Sequence, residues 1–460
     1  MLKKITISGL RGFGVENTIE FSIPNLERGG GLSVIIGANN TGKTTIVEGI
    51  KYYQCDKDSI SFSEGKRNAK TDKKVKIIYN DENDKTVELY TVNNGGSQVE
   101  LIGTTDYNNI PFVLPSRRFV EYNMNKTLNI PRVSYLLSQF TTNRKSTLNQ
   151  YEYRIFKWVK NKNEFDKILK KIILEPFDWT VELNDSGSYY VKIIFPDNKI
   201  VHTREGVGDG FWSIFTIVDC LYDSRPNDII VIDEPELSLH PIFQKRVLEL
   251  LVDYSKERQI IISTHSPYFI SHESIINGGN IIRTYKDNNG NIETNSITND
   301  DREFLKNIDE DINNPHIFGL DAKEIFFCEE NIIVTEGQED VIIINKICKT
   351  LNIKLEASLF GWGAGGAGNI FHILEMLSHL GYKKVSAIFD GDKKSLYEKC
   401  KKQFPYYNII ILFKDDIRDK EEHFIKAKVG ITQKNGNIKE EYKDKFLNII
   451  NKINNYHLKK

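Results

Sequence analysis

One run of residues, Gly37-Ala38-Asn39-Asn40-Thr41-Gly42-Lys43-Thr44, constrains this chain more than any other. It fills every fixed position of G-x-x-x-x-G-K-[ST], and it sits where that pattern acquires physical meaning. The apolar run LSVIIG precedes it, and TTIVEGIKYY, with apolar residues at helical spacing, follows. A strand that ends in such a loop and re-enters a helix offers backbone N–H groups to a polyphosphate. Gly37 and Gly42 let the backbone wrap, Lys43 brings positive charge to the β/γ-phosphates, and the Thr44 hydroxyl suits Mg²⁺. Asn39, Asn40, Thr41 and Thr45 complete the expected nucleotide-contacting positions. The fold around the loop is expected to be α/β.

Further along, IIVIDEPELSLHP ends an apolar strand in Asp233-Glu234. An acid at the C-terminal end of a strand facing the phosphate loop can hold Mg²⁺, and the next can polarise the attacking water for ATP hydrolysis. His265, in STHSPYF after the following strand, stands where a side chain reaches the γ-phosphate, although a lone histidine is more often structural. The order of these motifs resembles the ATP-binding-cassette (ABC) branch of P-loop ATPases, with a Walker A loop, signature, Walker B strand and switch histidine. That resemblance makes Arg204-Glu205-Gly206-Val207-Gly208-Asp209-Gly210 the signature candidate, with Gly206 and Gly208 offering N–H groups to the γ-phosphate of a second subunit. Glu205 stands where the branch usually has Ser, and an ordinary Gly-rich helix cap is the competing reading. Arg117 and Arg118 are further candidates for phosphate contact, or a solvated charge pair.

The second constellation lies in the C-terminal third. Glu336 ends the run IIVTE and is followed by Gly337 and Asp340; KVSAIFD then ends in Asp390-Gly391-Asp392. Acids at the C-terminal ends of parallel strands point into one crevice. Such a cluster repels itself unless hard divalent cations such as Mg²⁺ or Mn²⁺ neutralise it, with Glu336, Asp390 and Asp392 as the expected ligands. A site of that kind activates water against a phosphodiester. Between the acids, GWGAGGAGNI fits a dinucleotide fingerprint, but it follows the second strand of its series rather than the first. The spacing E-G-x-x-D, Gly-rich loop, D-G-D resembles the Toprim domain of topoisomerases, primases and some nucleases. In the nucleases it resembles, a later acidic motif serves a second metal and a later Lys assists. Here ILFKDDIRDKEEHF supplies Asp415, Asp416, Asp419, Lys420, Glu421 and Glu422, with Arg418 where an acid is expected. For Asp416 and Lys420 a solvated helix surface is the competing reading.

The strand and helix pattern predicts an ABC-type ATPase domain over residues 1–297, with an inserted α/β–helical lobe at about 54–205 and a Lys-rich helical stretch at about 133–176. A polar linker is expected at 298–322, and a C-terminal, Rossmann-like Toprim domain at 323–460. Five cysteines with no C-x-x-C pair argue against a disulfide framework or structural zinc. The chain shows no secretory leader and no apolar run of membrane-spanning length, so a cytoplasmic protein is expected. The net charge of -1 conceals an asymmetry, with -3 over residues 321–400 and +6 over 401–460.

An ABC-type ATPase followed by a Toprim domain resembles the OLD (overcoming lysogenisation defect) family, which includes the Gabija-system nuclease and retron-associated nucleases. The resemblance implies an ATP-regulated, metal-dependent endonuclease that cuts or nicks DNA in antiphage defence. It also implies a homodimer or higher homo-oligomer through the ATPase domains, with a separately encoded defence partner in some systems. Two other readings stay open: a ribonuclease acting on RNA such as tRNA, and a non-catalytic ATP-dependent scaffold or clamp.

Overall fold

In the computed structural model, the described residues are 1–460 apart from 54–59, 93–97, 104–110, 117–150, 186, 188, 196–199, 204–205, 310–327, 329, 421–427 and 460. They form two compact units, Met1–Thr294 and Asn295–Lys460.

In the first unit the run before the phosphate loop becomes the strand Leu32–Gly37, five of whose six residues are buried. It lies inside a six-stranded sheet ordered Ile292–Ser296, Asn280–Lys286, Leu32–Gly37, Gln259–Ser263, Ile229–Asp233, Phe112–Leu114. The five strands from Asn280–Lys286 to Phe112–Leu114 pair in parallel. Their near-continuous Ile and Val content is what a strand covered on both faces requires. Parallel pairing brings the C-terminal ends of Leu32–Gly37, Ile229–Asp233 and Gln259–Ser263 to one edge, so the phosphate loop, Asp233 and the His265 loop become neighbours. Helix Lys43–Tyr52 packs Ile46 and Ile50 into a core shared with Ile5, Ile7, Tyr79, Val231 and Ile261.

The expected inserted lobe needs correction at its start. The strands Lys76–Asp81, Thr86–Thr91 and Val99–Ile102 extend the sheet begun by Leu2–Ser8 and Asn17–Glu20, giving five antiparallel strands. Phe112–Leu114 joins the central sheet. Alternation in sequence identifies a strand but not the sheet that will accept its edge, so these pieces looked like an insertion. The Lys-rich stretch contributes helices Tyr151–Trp158 and Lys162–Ile172, and its part over 133–150 lies outside the described residues. A hairpin forms from Asp178–Leu183 and Tyr189–Phe195, with Val181 opposite Val191.

The second unit begins with an unexpected helix. Residues Asn299–Asp309, expected to belong to a linker, are helical, with Asp301 and Leu305 buried. Thr298 and Asp301 close its start reciprocally: the Asp301 N–H donates to Thr298 Oγ1 at 3.2 Å, and the Thr298 N–H donates to Asp301 Oδ2 at 2.8 Å. Beyond it, a four-stranded parallel sheet runs in the order Ser358–Leu359, Asn331–Val334, Lys384–Phe389, Asn408–Ile411. Helices Gln338–Thr350 and Lys443–Leu458 supply Ile344, Ile347, Phe446, Ile450 and Ile453 to its core. Among the described residues no helix is long and apolar enough to cross a membrane.

Candidate nucleotide site and candidate acidic centre

The phosphate loop is set by backbone shape. Gly37 has φ 149°, Asn40 φ 62° and Gly42 φ 94°, a left-handed sequence that glycine tolerates. Space is as restrictive as torsion: a Cβ on Gly42 would lie 2.5 Å from Ile292 Cδ1, and one on Gly37 2.3 Å from the Thr284 carbonyl. Thr41 Oγ1 donates to the Ala38 carbonyl at 2.8 Å and pairs with Thr284 Oγ1 at 2.7 Å, tying the loop to the neighbouring strand. Lys43, 5% exposed, folds over the loop and donates to the Gly37 and Ala38 carbonyls, both at 2.9 Å. Burial lowers its pKa to about 8, against the pull of Glu234, Asp233 and Glu236. Asn39 and Asn40 are exposed on the loop. Thr44 is half-buried in the first turn of the helix, whereas the buried Thr45 hydroxyl accepts from Arg11 Nη1 at 3.3 Å.

Asp233 is 2% exposed and accepts a hydrogen bond from Ser263 Oγ, which holds the carboxylate at the strand end. Glu234 adopts φ 48°, donates its N–H to the Ser263 carbonyl at 2.8 Å, and sets Oε1 3.7 Å from His265 Nε2. Burial first, and then the Lys43 charge, lower the His265 pKa, which favours its neutral form. Sequence reasoning passed over Glu236. Its carboxylate accepts from the His265 N–H at 2.6 Å and from Thr264 Oγ1 at 2.8 Å, locking the histidine loop to the Walker B loop. The signal was present as the third acid of D-E-P-E, two residues after Glu234.

Gly208 is the N-cap of helix Asp209–Asp223 and carries no side-chain cap, so the first N–H groups of that helix have no capping side chain of their own. Gly206 donates to the Thr203 carbonyl at 3.0 Å. Arg204, Glu205, Arg117 and Arg118 lie outside the described residues.

The acidic centre is assembled from side chains instead. Glu336 follows the strand Asn331–Val334 by two residues, and Asp390 directly follows Lys384–Phe389 on the adjacent strand. The Asp390 N–H donates to Glu336 Oε1 at 2.8 Å, joining the two strand-end acids. Asp340 turns back from the first helical turn to accept the Gly337 N–H at 2.9 Å. Asp416, a catalytic candidate for which a solvated helix surface was the competing reading, lies instead on the strand Asp416–Arg418 and is 1% exposed. It accepts from Lys420 Nζ at 2.7 Å and has Lys428 Nζ at 3.5 Å. Lys428, which sequence reasoning missed, also reaches Asp392 Oδ2 at 2.7 Å, and Lys393 reaches the same side chain at 3.1 Å. Arg418, where an acid was expected, pairs with Glu339. Asp419 turns away to Lys439 at 2.8 Å, Asp415 is exposed, and Glu421 and Glu422 lie outside the described residues.

Electrostatics record the crowding. Burial first, then Glu336, Asp340 and Asp416, push Asp390 up to about 9. Burial, Glu336, Asp416 and Glu339 raise Asp340 to about 7, against the Gly337 N–H. Glu336 is raised as well, chiefly by burial. Asp392 is held below the usual range because Lys428 and Lys393 outweigh its burial. As the side chains stand, no three acids, histidines or cysteines among the described residues converge as a ready metal cage. The donor set nonetheless fits a hard divalent cation: several carboxylates share one partly buried crevice, and such a cation would relieve their repulsion.

These two sites define the class, a phosphate-loop ATPase joined in one chain to a Toprim-type acidic centre. Residues 32–271 match the family described as "AAA domain, putative AbiEii toxin, Type IV TA system", and residues 326–392 match "Overcoming lysogenization defect protein-like, TOPRIM domain". The chain belongs to the first of these families, and its pairing with the second supports a resemblance to the OLD family. It is 26% identical over 268 residues to the Old nuclease of Escherichia phage P2, covering 55% of this chain and 44% of that protein. An uncharacterized protein of Methanocaldococcus jannaschii is 30% identical over 138 residues, covering 26% of this chain and 17% of its own length. The chain thus spans less than half the length of these curated relatives. Among solved structures, an Smc head bound to the C-winged helix domain of ScpA is 17% identical and covers 65% of this chain and 98% of that one, at a TM-score of 0.42.

Proposed function

We propose that this chain is a nuclease that cuts or nicks DNA at the acidic centre, depends on divalent metal, and is regulated by ATP at the phosphate loop. The observation that carries the reading is the hydrogen bond from the Asp390 N–H to Glu336 Oε1, 2.8 Å long, which brings two acids 54 positions apart into one crevice. Glu336, Asp390 and Asp392 would hold Mg²⁺ or Mn²⁺, which supplies an activated water and stabilises the leaving oxygen. Asp340 stiffens the Gly337 turn that presents Glu336. Lys428 and Lys420 bring positive charge to the rim, where a phosphate backbone passes.

At the other site Lys43 exchanges its two carbonyl partners for phosphate oxygens when ATP binds. Thr44 and Asp233 would hold Mg²⁺, and Glu234 would orient the attacking water beside His265. Gly206 and Gly208 serve a γ-phosphate across a homodimer, which makes assembly part of ATP binding. The resemblance to the OLD family supports a role in antiphage defence.

The test uses purified protein with supercoiled plasmid and with total tRNA, in Mg²⁺ or Mn²⁺, with and without ATP, alongside Glu336→Ala and Lys43→Ala. Plasmid cleavage lost in Glu336→Ala is expected. Cleavage of neither substrate, or equal cutting by Glu336→Ala, overturns the nuclease reading in favour of a scaffold. Loss of tRNA alone moves the substrate to RNA. Cutting unchanged by ATP and by Lys43→Ala removes the regulatory role.

A further inference from the structure

The Gly-rich loop between the two halves of the acidic centre carries a tryptophan that its surroundings do not use. The loop is fixed from both ends. The Phe360 N–H donates to the Ile333 carbonyl at 2.8 Å, the Ala364 N–H to the Thr335 carbonyl at 2.8 Å, and the Gly366 N–H to the Glu336 carbonyl at 2.7 Å. Its backbone therefore lies directly along the segment that ends in Glu336. Phe360 and Ala364 are buried, at 2% and 0% exposed, and anchor the loop. Between them the chain makes a tight turn, with the Gly363 N–H donating to the Phe360 carbonyl at 2.9 Å and Gly361 at φ 46°. A positive φ at the first central position of such a turn calls for glycine. Gly363, at φ 88°, approaches so closely that a Cβ there would meet the Gly337 backbone at 2.6 Å. Every conformational freedom in the turn is thus spent on holding the loop against Glu336-Gly337.

Trp362 occupies the second central position of this turn and is 54% exposed. Among the described residues no ring or cation stacks on it. A large, half-exposed ring on a backbone fixed against Glu336-Gly337 offers a stacking platform, and Lys393 and Lys428, which pair with Asp392 of the same acidic centre, supply positive charge for a nucleic-acid backbone. Bases in a duplex already stack on one another; an unpaired base has a free face. We infer that Trp362 stacks an unpaired nucleobase next to the phosphate presented to the acidic centre, so that single-stranded or locally opened DNA is the preferred substrate. The inference rests on the proposed nuclease reading for its biological sense, and its binding test does not.

Trp362 is one of four tryptophans in the chain, so its own emission is read as the difference between the parent and Trp362→Phe. The full chain, as Glu336→Gln to prevent cutting, is titrated with a 20-nucleotide single strand and with the same sequence as a blunt duplex, reading anisotropy and tryptophan emission. The single strand is expected to quench emission, and Trp362→Phe to remove most of that quench while keeping the affinity within about threefold. Trp362→Ala is expected to weaken single-strand binding about tenfold, as loss of one stacked base does, and duplex binding far less. The inference is overturned if Trp362→Ala binds the single strand as the parent does, if the quench survives in Trp362→Phe, or if both substrates weaken equally. Cleavage by the chain with Glu336 intact is scored separately. If it cuts nothing, the nuclease reading fails while the binding arm still decides what Trp362 does.

Discussion

The two sites use opposite building strategies. Around Lys43 the ligand-facing groups belong mainly to the backbone of one loop, shaped by Gly37 and Gly42 and closed by a single lysine. Around Asp390 they are side chains drawn from three strand ends and a helix start, with ammonium and carboxylate groups interlaced. A backbone site tolerates little change of shape but needs few charges. A side-chain site tolerates backbone change but depends on the balance of its charges.

The sharpest test of that contrast is charge removal at constant shape. Glu336→Gln is expected to lower cleavage by about two to three orders of magnitude, as loss of a principal electrostatic group does. ATP hydrolysis should change by less than about twofold, measured by phosphate release. Shape change at constant charge is the converse. Gly42→Ala adds a methyl group 2.5 Å from Ile292 Cδ1 at φ 94°, and should cost the first unit about 3–5 kcal/mol of stability together with ATP binding. Calorimetry with and without nucleotide reads both. If the loop accepted alanine and still bound ATP, the backbone account of that site would break.

Next in size is a pH effect outside either site. His457 is 5% exposed, shares a 2.9 Å hydrogen bond with Ser386 Oγ, and is lowered to about 4 by burial and then by Lys384. The unfolded chain takes up that proton near the ordinary value of about 6.5, before the folded chain can. The contribution to stability is therefore whole above about 6.5 and lost as pH falls towards 4, roughly 2–3 kcal/mol in all. Melting curves of His457→Gln should be flatter over that window. The smallest expected effect is at the boundary helix. Thr298→Ala removes the hydroxyl that caps Asp301, and should cost about 1 kcal/mol in chemical denaturation without altering ATP hydrolysis.

The same contrast explains what could be read before the structure. The phosphate loop is contiguous, so its pattern and context were visible together. The acids at Glu336 and Asp390 were visible because each closes an apolar run, and parallel order does the rest. Asp416 and Lys428 were harder. Nothing in ILFKDDIRDKEEHF distinguishes a short buried strand from an amphipathic surface, and Lys428 enters only because its backbone pairs with Lys420. The helix at Asn299–Asp309 was hidden by polarity, although Thr298-Asn299-Asp300-Asp301 carries a capping-box pattern that outweighs the scarcity of apolar residues. The strands Lys76–Asp81, Thr86–Thr91 and Phe112–Leu114 fell in a stretch assigned to an insertion, because sequence does not disclose which edge will receive them, and Val99–Ile102 was not read as a strand at all.

The sheet order of the second unit also has a consequence for synthesis. Its acidic crevice joins strand ends made early to Asp416 and Lys428, made late, whereas the phosphate loop is complete by residue 44. On a ribosome the phosphate loop emerges first, and the acidic crevice can close only once Asp416 and Lys428 have been delivered. A product that stopped before Asp416 would carry the phosphate loop without a complete acidic crevice.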